Sequence, residues 1–163
     1  MLSYGFVRNF PLLKGGLAQS AFFAIPDELY VNPSALKDRS IVIMGGTSGL
    51  GLSAALACHR HGAKLVVVGR RDEFAIDAQA VLGEEIQIVL ADAGDPQTAE
   101  VAISQSVASY GRLDGLYHVA GGSGRRWGDG PLHDISEDAW RHTLAANLDS
   151  VFYSNRAAVR QFL

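Results

Sequence analysis

From Arg39 onward, short and continuously apolar runs alternate with stretches whose apolar positions recur at helical spacing. Ser40-Ile41-Val42-Ile43-Met44 is apolar and β-branched almost throughout, as in a strand covered on both faces. Lys64 to Val68 and Ile86 to Leu90 have the same character, and a fourth strand is predicted within Leu113 to Val119. Between them, the alanine- and leucine-rich stretch Leu52 to Cys58 predicts a helix closed by Gly62, and Asp72 to Leu82 predicts one stopped by Gly83. Pro96 to Tyr110 predicts a third helix, with Asp95 as N-cap, proline in its first turn and Gly111 after its end. Ser136 to Leu163 reads as one long helix capped by Ser136, with Glu137 and Asp138 facing the positive end of its dipole. Strands alternating with helices at this spacing predict right-handed βαβ units and a parallel sheet.

The first part of the chain reads differently. Met1 to Ile25 carries no acidic residue and only Arg8 and Lys14 as strong bases. Gln19 and Ser20 interrupt its apolar stretch, Leu17 to Ile25, which argues against a secretory signal, and arginine and serine are too few for an organelle-targeting segment. Residues 1–35 are therefore expected to be an arm packing on the domain or on a partner, with Pro26 and Pro33 punctuating an extended linker, and residues 36–163 to be the domain proper.

Composition narrows the function classes. The 163 residues hold 14 Lys+Arg against 17 Asp+Glu, so no basic excess points to nucleic acid. No apolar run approaches the ~20 residues a membrane-spanning helix needs. The single cysteine, Cys58, excludes an internal disulfide framework and a multi-cysteine zinc site, and suits a reducing, cytoplasmic compartment.

The candidate chemistry lies in Gly45-Gly46-Thr47-Ser48-Gly49-Leu50-Gly51, which joins the first strand to the first helix. Glycines permit a tight turn and close approach of a pyrophosphate, and the helix N-terminus offers free N–H groups and partial positive charge. The strand before and the helix after argue for a dinucleotide site over an ordinary turn. Gly45, Thr47, Ser48, Gly49, Leu50 and Gly51 are the candidate phosphate-side residues. An acidic residue about 20 residues past such a loop usually holds the ribose 2′-hydroxyl. Here the second strand ends Val68-Gly69-Arg70-Arg71-Asp72. Arg70 first and Arg71 second are the candidate ligands of a 2′-phosphate, so NADP(H) is the expected cofactor and NAD(H) the second choice. S-adenosylmethionine binding ranks behind, because it too wants an acidic residue where Gly69 and Arg70 stand.

From Leu36 to Leu163 the chain resembles a short-chain dehydrogenase/reductase of the single-domain kind. The family's T-G-x-x-x-G-x-G motif matches Met44 to Gly51 with methionine in place of threonine. The resemblance implies an α/β, doubly wound Rossmann-type sheet, cut short after the fourth strand and the long following helix. It implies that Asp92 accepts from the adenine amino group. It also implies that Ala120 and Gly121, the kept half of an N-N-A-G motif, line the cofactor, while His118 reads as a strand residue. Asn147, in Leu144-Ala145-Ala146-Asn147-Leu148, matches the asparagine of the family's proton relay and is the candidate catalytic residue.

The family's serine and its Tyr-x-x-x-Lys pair are expected beyond that helix. Four residues after the tyrosines stand Arg8, Ser34, Asp114, Gly121 and Ala157, none of them lysine. The reading is thus an oxidoreductase of an alcohol or carbonyl substrate by ancestry, with negligible turnover as this chain. The alternative is a non-catalytic dinucleotide-binding or interaction module, or half of a split enzyme. Trp140, Leu144, Leu148, Val151 and Phe152 form a stripe expected to pack on the chain's own sheet, with the resemblance implying a dimer interface there. The unprotected fourth strand favours a homo-oligomer or a complementing chain. Arg125, Arg126 and Trp127 either grip an acidic substrate or form a polar rim.

Overall fold

The computed structural model describes residues 34–163. The arm and the linker prolines expected before Ser34 lie outside the described residues. Strands β1 (Ser40–Met44), β2 (Lys64–Gly69), β3 (Gln87–Leu90) and β4 (Gly115–His118) form one parallel sheet in the order β3-β2-β1-β4. Helices α1 (Gly49–Arg60), α2 (Asp72–Leu82) and α3 (Thr98–Tyr110) join successive strands, and α4 (Glu137–Leu144) and α5 (Ser150–Phe162) follow β4.

Two-residue alternation along the strands divides the core between two faces. Val42, Met44, Val66 and Val68 meet Ala99, Ala102 and Ile103 of α3 and Ala157 and Ala158 of α5. Ile43, Leu65 and Val67 meet Ala55 of α1 and Ala78 and Leu82 of α2. Alanines on the inner faces of the helices bring them close to the sheet. Each fully buried valine or leucine stabilises the fold by about 1.5–3 kcal/mol relative to exposure.

Polar side chains brace the ends. Asp114 accepts from the Ser40 amide and from Arg39, both at 2.9 Å, and from Arg112, tying the starts of β1 and β4 together. Burial raises the Asp114 carboxyl, but Arg112, the Ser40 amide and Arg39 outweigh it and hold the pKa at about 2. On β4, His118 Nε2 lies 3.0 Å from the Ala120 carbonyl and Nδ1 lies 2.8 Å from Ser154 Oγ. A carbonyl only accepts, so Nε2 carries the proton and Nδ1 accepts from the Ser154 hydroxyl, pinning β4 to α5. Burial pushes the His118 pKa down, against the opposing pull of the Ala120 carbonyl.

Three details depart from the sequence reading. The third helix begins at Thr98, not Pro96. Asp95 accepts the Gln97 amide through its side chain and the Thr98 amide through its backbone, so a turn precedes the helix and Gln97 is the cap. β4 lies within Leu113–Val119, as expected, and ends where Val119 and Ala120 both turn their amides onto the Met44 carbonyl. The long terminal helix is interrupted by a π turn at Ala145–Asp149. There Asn147 Nδ2 donates to the Thr143 carbonyl and Ser150 Oγ to that of Ala146, so side chains take over backbone acceptors. Finally, most of the apolar stripe stays exposed, with Leu144 and Val151 half-buried. Trp140, Leu148 and Phe152 are 51%, 59% and 55% exposed, and Ser150, Ser154, Ala157 and Ala158 form the buried face instead.

Candidate functional site

β1 and β4 end side by side where the strand order reverses, and chains leaving in opposite directions open a crevice at such a point. The loop after β1 is lashed to both neighbours. The Gly45 and Gly46 amides donate to the Val68 carbonyl at 2.9 Å, and the Val119 and Ala120 amides reach the Met44 carbonyl at 2.8 and 2.9 Å.

Glycine is required here by contact as well as conformation. Gly45 has φ +85°, and a Cβ there would stand 2.6 Å from the Ala120 nitrogen. A Cβ on Gly51 would overlap the Gly45 carbonyl oxygen and come 2.8 Å from its carbon. At Gly49 nothing lies within 4 Å, so the loop is bare on its outer side. Ser48 caps α1 in extended conformation without a side-chain hydrogen bond, and the first turn holds no acidic residue. The first amides of α1 therefore keep their donors, beside Ser48 and Leu50, which line the cleft. Uncapped donors and the positive end of a helix dipole together suit an anionic ligand.

The cleft is about 420 Å³, within the range of small-molecule sites. It runs from Arg70 and Asp92 past the glycine loop to Gly121, Trp127 and His142. At one rim Arg70 donates to Asp92 Oδ2 at 3.1 Å, and the Gly94 amide donates to Oδ1 at 2.9 Å. Burial raises the Asp92 pKa, but the Gly94 amide and Arg70 prevail and leave it below the ordinary carboxylate value. Both partners are more than half exposed, so the pair is weak and open to exchange. The Arg71 guanidinium stands 5.1 Å over the Phe74 ring. The sequence had not singled out Phe74, Gly94 or His142 as lining residues, and no motif marks them.

At the opposite rim Asn147 clamps the loop after β4. Its Oδ1 accepts from the Gly122 amide at 3.1 Å, and its Nδ2 donates to the Gly122 carbonyl at 2.7 Å. Trp127 stacks on His142 at 4.4 Å between centroids and 10° between planes. Ala120 and Gly121 line the wall between the two rims. The structure thus places Gly45, Thr47, Ser48, Leu50, Arg70, Arg71, Asp92, Ala120 and Gly121 around one cleft, while Gly49 and Gly51 do not line it and Asn147 stands behind Gly122. Arg125 and Arg126 are exposed on a short 3₁₀ turn next to Trp127. Among the described residues, no three His, Cys, Asp or Glu side chains come together to hold a metal, and no helix is long and apolar enough to cross a membrane.

A family model described as short chain dehydrogenase matches residues 39–163. A borneol dehydrogenase from Lavandula x intermedia is 33% identical over 128 residues, covering 77% of this chain and 47% of that protein. A chanoclavine-I dehydrogenase from Penicillium roqueforti is 32% identical over 136 residues, 78% of this chain and 52% of its own length. The solved structure of a short-chain type dehydrogenase/reductase from Mycobacterium ulcerans superposes with a TM-score of 0.69 at 29% identity, covering 77% of this chain and 47% of that one. The chain spans about half the length of the curated relatives it matches.

Proposed function

This chain belongs to the short-chain dehydrogenase family, and from that premise we propose that residues 36–163 form the nucleotide-binding part of an NADP(H)-dependent oxidoreductase of an alcohol or carbonyl compound. The family uses NAD(P); when bound, the nicotinamide supplies or accepts a hydride. In this reading the amides of the loop and of the first turn of α1, from Gly45, Thr47, Ser48, Gly49, Leu50 and Gly51, hold the diphosphate. Asp92 accepts from the adenine amino group, and Arg70, seconded by Arg71, takes the 2′-phosphate. Releasing Arg70 from an exposed ion pair costs little, and a phosphate offers it charge-assisted bonds in return. Ala120 and Gly121 flank the other half of the coenzyme. Asn147, the candidate for the family's proton relay, also fixes the loop after β4, both ends of its amide being engaged by Gly122. The single half-buried cysteine supports a cytoplasmic setting.

The observation that carries the proposal is the bare glycine loop opening onto an uncapped, acid-free helix N-terminus. Thermal denaturation with each coenzyme tests it. At a hundredfold excess over Kd a ligand stabilises the fold by about 2.7 kcal/mol, and the shift with NADPH should exceed that with NADH. Equal shifts remove the role of Arg70, and no shift with either removes the site.

A Tyr-x-x-x-Lys pair is absent from the 163 residues, and we propose that this chain alone turns over negligibly. NADPH oxidation across a carbonyl panel, at rates far above those of a Gly49→Asp control, would contradict this. A second reading, a binding module completed by another chain or copy, is favoured by one observation. Among the described residues β4 pairs only with β1, and the stripe from Leu148 to Phe152 beside it is half exposed.

A further inference from the structure

At the end of β2, Gly69 is buried although it stands at the cleft. A Cβ there would overlap Oγ1 and Cγ2 of Thr47 and stand 2.7 Å from its Cβ. Rotating Thr47 about χ1 exchanges its two branches but leaves that last contact in place. Thr47 has no room to retreat, being only 5% exposed. Its loop is held to Val68 by the Gly45 and Gly46 amides, and Gly69 is held from the other side by the Ala91 amide on its carbonyl, all at 2.9 Å. Nor can the loop sink toward the sheet, since a Cβ on Gly46 would already press Val67 Cγ1 at 2.7 Å and Ile43 Cγ2 at 2.9 Å.

We infer that Thr47 is a specificity-determining residue that acts through position 69: it closes that position to every side chain. This inference rests on the nucleotide reading above. Position 69 is where a carboxylate would stand to hold a ribose 2′-hydroxyl, and a carboxylate there would also repel a 2′-phosphate and compete for Arg70. With Thr47 in place the position can only be glycine, so the guanidinium of Arg70 is the first charge after the strand. Selectivity comes from excluding the wrong group as much as from supplying the right one.

The test is a double-substitution cycle in the 163-residue chain: Gly69→Asp, Thr47→Gly and the pair, with Gly69→Ala and Thr47→Gly as a milder cycle should aspartate prevent folding. Unliganded Tm and the calorimetric Kd of NADPH and NADH are read for each. Overpacking at a rigid site predicts that either substitution of Gly69 alone lowers Tm by about 5 °C or more. Thr47→Gly should restore most of that loss. The pair with aspartate should move the NADH-to-NADPH affinity ratio at least about tenfold toward NADH compared with Thr47→Gly alone, the scale of one charged contact. Additive effects on Tm, or coupling in Tm with an unmoved affinity ratio, overturn the inference. Failure of the underlying reading looks different: the unsubstituted chain then binds neither nucleotide, while the unliganded Tm cycle still reports whether Thr47 closes position 69.

Discussion

The two rims of the cleft are built on different principles. The glycine-loop side is closed by contacts among β1, α1 and β2 and by the chain just after β4: a single added carbon strikes the Gly45 backbone from position 51 and the Ala120 backbone from position 45. The side beyond β4 rests on an edge strand, a π turn and one asparagine clamp, with Trp140, Leu148 and Phe152 exposed beside it. One rim is tightly packed, and the other leaves large apolar side chains exposed among the described residues. On the proposed function, the tightly packed rim is the one expected to hold nucleotide.

The sharpest way to break that contrast is Gly51→Val. Its side chain must displace the Gly45 carbonyl, so the fold should lose about 3 kcal/mol and nucleotide binding should vanish, as thermal denaturation with and without NADPH would reveal. Unchanged binding would mean the loop is looser than its contacts imply. Next in size is Arg70→Ala, which should weaken NADPH about tenfold and leave NADH nearly untouched in calorimetric titration, because only one of the two carries the phosphate that the guanidinium would meet.

The β4 side should respond to pH. The His118 pKa is lowered below its ordinary 6.5 in the folded chain. Above 6.5 both folded and unfolded chains keep the imidazole neutral, and its contribution is full. As pH falls below 6.5 the unfolded chain takes up the proton first, so stability declines until the folded value is passed. Tm measured from pH 8 to pH 5 should therefore fall on the acid side, and His118→Asn should flatten that fall. Asp114, held at about 2 against an ordinary 3.8, keeps its contribution across this window and loses it as pH falls from near 4 through 2. The smallest effect is expected at Phe152→Ser, within about 0.5 kcal/mol for a half-exposed site, with any change confined to self-association in sedimentation. A large loss of monomer stability would mean the stripe packs after all.

The same contrast explains what could be read from the sequence. β1, β2 and the glycine loop announce themselves because strand pattern, glycine spacing and helix formers all lie within 30 residues, and local signals agree there. Arg70, singled out from its distance past the glycine loop, and Asp92, Ala120 and Gly121, singled out by the family resemblance, line the cleft. What escaped was long-range or geometric. The π turn arises from side chains of Asn147 and Ser150 reaching back to carbonyls four residues earlier, which no helical periodicity encodes. The Asn147–Gly122 clamp spans 25 residues. The stripe at Trp140 to Phe152 has the spacing of a buried face, but Ser150, Ser154 and the alanines of α5 lie closer to the sheet, and small residues give a weaker hydrophobic signal than the large ones they displace.

The central claim is that a dinucleotide's diphosphate sits on the amides at the start of α1. Backbone amide NMR of the 163-residue chain titrated with NADPH tests it most directly. The account predicts that the largest saturable shifts fall on Thr47 to Gly51, with a second cluster at Arg70 and Asp92. Shifts centred elsewhere, with the amides of Gly49 to Gly51 unmoved at saturation, would contradict it.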